Sequence, residues 1–137
     1  MVLSETIRVQ VRFSEVDSIK MVWHGHYITY MEDAREAFGA EYDLSYQGYI
    51  DHNYYAPIVD MQIKYKYPLR YGCKARIDIV YRPTEAAKII FDYEIRDIED
   101  NKLYCKARTV QVFMDMNYNL VLTNPDFFIN WKRKWQQ

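Results

Sequence analysis

Alternating hydrophobic runs, packed closely in the second half of the chain, constrain its fold more than any other feature. Val59, Met61, Ile63, Tyr65 and Tyr67 make one apolar face, Ala75, Ile77, Ile79 and Tyr81 the next, and Ile89, Phe91, Tyr93 and Ile95 a third. A period of two marks a half-buried strand. Pro68, Gly72, Pro83 and the acidic stretch from Asp97 to Asn101 separate the runs. Connections this short cannot carry a parallel crossover, so neighbouring strands must be antiparallel. The last run holds Leu103, Cys105 and Ala107 in phase and then shifts to Val110, Val112 and Met114. That slip predicts a β-bulge near Arg108 and Thr109, or a strand buried on both faces.

Ahead of these runs, residues 6–13 alternate as a strand, with Ile7, Val9, Val11 and Phe13 on one face. Residues 14–22 keep no period and read as a loop. From Tyr27 the period becomes helical: Tyr27, Tyr30, Met31, Ala34 and Phe38 share a face, opposite Thr29, Glu32, Asp33 and Glu36. Gly39 is the expected stop. Residues 41–56 read as a loop holding one helical turn at most, long enough to serve as a lid or an interface element. Asn124-Pro125 reads as an N-cap followed by Pro at the first helical position, before a stripe of Phe127, Trp131 and Trp135. The order is strand, long helix, four strands, terminal helix. This is an α+β architecture in one domain, 1–137, whose antiparallel sheet must curl around the helix to cover its apolar face.

Composition narrows the function classes. A net charge of −1 over 137 residues gives no bulk attraction to nucleic acid or anionic membranes. Charges interrupt every apolar run before it reaches membrane-spanning length. The N-terminus, MVLSETIRV, lacks the pattern of a secretory signal. Cys73 and Cys105 are expected as free thiols in a reducing cytoplasm. Fourteen tyrosines and three tryptophans suit a wet cleft or a subunit interface as well as a core.

The chemistry concentrates in VDSIKMVWHGHYITYMEDAREAF, residues 16–38. Asp17 stands a short irregular run ahead of His24 and His26, which open the helix. A helix N-terminus offers unpaired N–H groups and partial positive charge to a developing oxyanion. A carboxylate facing it can attack an acyl carbonyl, or deprotonate the water that attacks. His24 and His26 alone lack the partners for a metal site. No G-x-S-x-G elbow supports a serine nucleophile.

The motifs R-F-S-E-V-D, V-W-H-G-H-Y and Y-M-E-D-A-R-E, in this order of elements, resemble hotdog-fold acyl-CoA thioesterases. The similarity is to the 4-hydroxybenzoyl-CoA thioesterase branch, which includes bacterial short-chain acyl-CoA enzymes. The resemblance covers residues 7–116, with its diagnostic positions between Arg12 and Arg35. It implies a sheet wrapped around the central helix, protomers joined edge to edge with active sites at that junction, and a homodimer or homotetramer. The family's catalytic acid falls on Asp17 and its helix-start histidine on His24. The backbone N–H groups of His24 and Gly25 become the oxyanion donors. Tyr27 and Glu32 match recurrent positions. Lys20, Arg82 and Lys88, with Tyr27, are the candidate contacts to acyl-CoA, and no cofactor or metal is implied. The chain departs from many relatives in carrying Phe13 where they have tyrosine, Ser18-Ile19-Lys20 where glycine is common, and Glu85-Ala86-Ala87-Lys88 before the fourth strand. Two functions are therefore carried forward: hydrolysis of an acyl-CoA, and non-catalytic binding of an acyl-CoA or acyl-carrier protein.

Overall fold

A computed structural model of the chain describes all residues, Met1–Gln137. Its elements are β1 (Ser4–Gln10), a 3-10 turn (Phe13–Glu15), α1 (His24–Tyr42), α2 (Tyr46–Asp51), β2 (Ile58–Tyr65), β3 (Lys74–Arg82), β4 (Lys88–Asp97), β5 (Leu103–Met114), β6 (Leu120–Val121) and α3 (Asp126–Lys134). The sheet is antiparallel throughout, in the order β1-β3-β4-β5-β2, with β6 added to the end of β5. β1 and β2 are its edges.

The concave face of the sheet buries the predicted face of α1. Tyr27, Tyr30, Met31, Ala34 and Phe38 are all buried, as are Ala75, Ile77, Ile79 and Tyr81 on β3 and Ile89, Phe91, Tyr93 and Ile95 on β4. Phe38 sits edge-on to Phe91 at 4.9 Å between centroids, a favoured aromatic geometry. The periods of two and 3.6 thus meet in one core, wrapped as the hotdog fold.

Several local expectations are corrected. The first strand stops at Gln10, and Phe13 lies in the 3-10 turn at 77% exposure rather than on the core face. Gly39 does not end the helix. It is buried, and a Cβ there would stand 2.6 Å from the Leu44 carbonyl oxygen, so its role is close approach. The helix ends at Tyr42, and Asp43 takes the left-handed cap at φ 57°. The loop after it contains a six-residue helix, α2, capped by Ser45 Oγ accepting from the Gly48 N–H.

β5 has no bulge at Arg108 and Thr109. Its register with β4 runs unbroken from Val112 to Cys105 and shifts only between Ile95 and Arg96. Thr109 and Gln111 point inward and are buried, while Val110 and Val112 lie half-buried on the outer face. Polar residues took core positions because each found a partner there: Thr109 Oγ1 with Tyr93 Oη at 2.6 Å, and Gln111 Nε2 donating to the Ala56 carbonyl at 2.8 Å. Val59 and Tyr65 on β2, and Tyr67 just after it, remain exposed. Near the C-terminus Pro125 is the cap and Asp126 the first helical residue. Asn124 does not cap; its amide donates to the Glu85 carbonyl and its oxygen accepts from Lys132 Nζ. Phe128, absent from the expected stripe, is buried beside Trp131.

The C-terminal end of α1 is closed by tertiary contacts. The Tyr42 carbonyl accepts from the indole N–H groups of Trp131 at 2.6 Å and Trp135 at 3.1 Å, satisfying an acceptor the helix itself leaves open.

The outer sheet face carries a charge ladder in which Asp92 accepts from Arg108 and Arg82. Those hydrogen bonds, Arg108's first, hold the Asp92 carboxyl below its usual range. A depressed carboxyl stabilises the fold above its unfolded pKa and loses that contribution as pH falls through the lower, folded value. Asp92→Asn should therefore lower the urea midpoint modestly at neutral pH. The deficit should shrink as pH falls below about 4, the range of an unfolded carboxyl, and vanish only once the wild-type carboxyl protonates at its lower, folded value.

Candidate active site

The site is built where the chain leaves β1, crosses the end of the sheet and enters α1. Val11 N–H donates to the Cys73 carbonyl and Val22 N–H to the Leu69 carbonyl, tying both ends of this crossing to the segment before β3. In between, Asp17 organises a turn. Its N–H donates to the Met21 carbonyl at 2.8 Å, its carbonyl accepts from Lys20 N–H at 3.0 Å, and its Oδ1 accepts from Ile19 N–H at 3.0 Å and Met21 N–H at 3.3 Å. Oδ2 accepts no hydrogen bond within the chain and the residue is exposed, so one carboxylate oxygen is fixed and the other is open. Lys20 has φ 65°, a left-handed conformation that glycine adopts without steric cost.

The start of α1 is set by packing rather than by a side-chain cap. Trp23 is the N-cap residue without a side-chain hydrogen bond, and its N–H donates to the Glu15 carbonyl at 3.0 Å. Glu15 also accepts from Tyr30 Oη at 2.9 Å, so one residue of the 3-10 turn clamps both the helix start and its second turn. The Trp23 ring lies over Gly25 in the space any Cβ would need, and packs against His24 at 4.9 Å. His26 N–H donates to the Trp23 carbonyl at 2.9 Å. The N–H groups of His24 and Gly25 have no acceptor in the chain.

Asp17, His24 and Tyr27 line one cleft of about 370 Å³, together with Tyr65, Lys66 and Tyr67. Tyr27 forms its buried wall: its hydroxyl accepts from the Leu69 N–H, and burial raises its pKa. Tyr65 meets Tyr27 edge-on at 4.9 Å and donates to the His24 carbonyl at 3.4 Å. The contribution of β2 and the segment after it was missed in the sequence. The signal was present, since Tyr65 and Tyr67 are amphipathic residues flanking Lys66 at the end of an edge strand.

The remaining candidates lie elsewhere. Lys20 is exposed, forms no ion pair with Asp17 and does not line the cleft. Arg82 pairs with Asp92 at 2.8 Å on the outer face. It lies eight residues along β3 from the Lys74 end that adjoins the site, about 26 Å away. Lys88, exposed at the start of β4, shares that far end. Glu32 is exposed on α1, away from the cleft. No group of three or more His, Cys, Asp and Glu side chains converges as a metal site would require, and no helix is long and apolar enough to cross a membrane.

A family model described as the thioesterase-like superfamily matches residues 11–131. The chain belongs to that family of thioester hydrolases. It is 28% identical over 107 residues to YneP of Bacillus subtilis (strain 168), provisionally named an acyl-CoA thioesterase, covering 78% of this chain and 77% of that protein. In fold it is similar to Slr0204 from Synechocystis, a 1,4-dihydroxy-2-naphthoyl-CoA thioesterase, with TM-score 0.83 and 20% identity over 98% of both chains. A DHNA-CoA thioesterase from Staphylococcus aureus superposes with TM-score 0.85 and 20% identity, covering 97% of this chain and 91% of its own.

The Glu15 clamp is directly testable. Tyr30→Phe leaves the ring packed and removes one hydrogen bond to a carboxylate, costing about 1–3 kcal/mol. Amide hydrogen exchange should accelerate selectively across residues 13–24, while β3 and β4 keep their protection.

Proposed function

We propose that this chain is an acyl-CoA thioesterase, hydrolysing a small or medium acyl thioester to the free acid and CoA. One observation supports the reading: Asp17, with one carboxylate oxygen open, and His24, whose N–H has no acceptor in the chain, line the same cleft, with the Gly25 N–H next along the helix start. A thioester carbonyl placed at the start of α1 accepts from those N–H groups, and the helix end stabilises the charge that develops on oxygen. Asp17 acts on the carbonyl carbon from beside it. In one route Oδ2 attacks, the C–S bond breaks, CoA leaves as the thiolate, and water hydrolyses the resulting anhydride. In the other route Asp17 takes a proton from water, that water adds to the carbonyl carbon, and the C–S bond breaks with CoA leaving as the thiolate or taking the proton back as the thiol. Both begin with the carboxylate ionised. The His24 imidazole, exposed at the cleft, is placed to contact the substrate, and Tyr27 shapes the wall behind it.

The working unit is a homo-oligomer. β2 is an edge strand with one side of its backbone unpaired and with Val59 and Tyr65, and Tyr67 just beyond, exposed, features that favour pairing with a second copy. Its cleft-lining end then lies at the junction, as the family resemblance implies. Lys20, Arg82 and Lys88 remain the proposed cations for the CoA phosphates, the latter two reached from a neighbouring protomer. The two free thiols accord with a cytoplasmic setting.

Hydrolysis of a panel of aliphatic and aromatic acyl-CoAs, followed by loss of thioester absorbance, tests the reading. Asp17→Asn should lower kcat by at least about a thousandfold with an unchanged unfolding midpoint. Turnover by Asp17→Asn at the wild-type rate would exclude Asp17 as the acting carboxylate. Saturable binding of acyl-CoA with no hydrolysis by the wild type would establish the alternative, a binding protein for acyl-CoA or acyl-carrier protein.

A further inference from the structure

The start of α1 and the end of β2 line the Asp17 cleft, at one end of the helix. At the other end lies a larger groove of about 1140 Å³. Phe91, Tyr49 and Ile58 supply apolar wall, and Arg35 and Gln111 are its polar groups nearest the sheet.

Those two side chains are incompletely satisfied. Half-buried Arg35 donates one hydrogen bond, from Nη1 to Tyr93 Oη at 3.2 Å, out of the five N–H donors of a guanidinium. None of the ion pairs in the chain includes it. Tyr93 in turn is held by buried Thr109, so the guanidinium is anchored from below. Gln111, 7% exposed, spends its Nε2 on Ala56, and its Oε1 has no partner. A buried polar group without a partner is costly and calls for an explanation.

Charge decides what kind of group fits. Glu32, Asp33, Glu36 and Asp43 rim the groove, all exposed. They offset the charge of Arg35 at long range, each by about 1 kcal/mol or less through water, without touching it. The groove therefore lacks hydrogen-bond partners rather than negative charge. An incoming carboxylate would meet four like charges, whereas a neutral oxygen would not. A hydroxyl or keto oxygen at the groove surface could accept from the free N–H groups of Arg35, while Gln111 Oε1 lies beneath that surface, out of solvent contact.

We infer that Arg35 is a specificity residue, whose guanidinium receives a neutral oxygen substituent, hydroxyl or keto, at the distal end of the acyl group. This rests on the acyl-CoA thioesterase reading. Reach comes from the free edge of β2. Antiparallel pairing of two copies along its full length sets Tyr65 of one opposite Ile58 of the other. The Asp17 cleft of one copy then abuts the Arg35 groove of the second.

The test compares kcat/KM for acyl-CoAs of matched length ending in methyl, hydroxyl or carboxylate, with wild type, Arg35→Met, Arg35→Lys and Tyr93→Phe. The wild type should prefer the hydroxyl-ended substrate over its methyl counterpart by at least about tenfold. Arg35→Met should erase that preference while leaving the methyl-ended substrate unaffected, and Arg35→Lys should restore part of it. Tyr93→Phe, which frees the guanidinium from its anchor and carries the test should Arg35→Met not fold, should relax selectivity the same way. An equal loss on both substrates, an unaltered preference in the variants, or a wild type that favours carboxylate would overturn the inference. Wild-type turnover without an oxygen preference defeats this inference alone. No wild-type turnover of any substrate defeats the thioesterase reading and this inference with it.

Discussion

Burial of one face of α1 in the concave sheet is the interaction on which the rest of the molecule depends. A nineteen-residue helix with Tyr27, Tyr30, Met31, Ala34 and Phe38 in line cannot stand alone in water, because its stability comes from covering that face. β3 and β4 answer with two unbroken inward rows. Once the helix is seated its ends are fixed in space, and both ends are then completed by groups distant in sequence. Trp131 and Trp135 close the C-terminal carbonyl. Glu15 holds the N-terminal entry through Trp23 and Tyr30.

The asymmetry between those ends matters for chemistry. The C-terminal end is sealed by indole N–H donors, whereas at the N-terminal end no side chain caps the helix and Trp23 packs over Gly25. A surface helix would ordinarily gain from a Ser, Thr or Asp cap. Here the N–H groups stay open beside a carboxylate that is itself held by only one of its oxygens. The chain forgoes a modest local stabilisation there, and in the proposed reaction those open groups serve as the oxyanion donors.

Much of the fold was legible because it rests on period. The alternation of β3 and β4 and the helical face of α1 follow from which residues must leave water, and short connections left antiparallel pairing as the only course. Legibility failed where a polar residue found a buried partner or an apolar one did not. Thr109 and Gln111 displaced Val110 and Val112 from the core because Tyr93 could pair with Thr109 Oγ1 and Ala56 with Gln111 Nε2. Tyr65 and Tyr67 continue the alternation of Met61 and Ile63 yet stay exposed, having no cover within one chain, and Val59 falls at the register shift between Ile58 and Asp60. Gly39 read as a terminator because its actual reason, the Leu44 carbonyl against it, is a contact made after the chain turns back at Asp43, which no local period marks.

The sequence by itself determined the α+β class, the order of elements, the helical face that enters the core, and the placement of Asp17 just ahead of a helix start. These are local matters of period, spacing and residue chemistry. Only the tertiary structure decided that Asp17 presents one free oxygen, that Tyr65 and Tyr67 join its cleft, that Arg82 and Lys88 stand at the far end of the sheet, and that Arg35 reaches across to Tyr93 instead of pairing with the acids beside it on α1. Such outcomes depend on which strands become neighbours and which edge remains unpaired. Contacts between residues dozens of positions apart settle them, and no local pattern encodes those contacts.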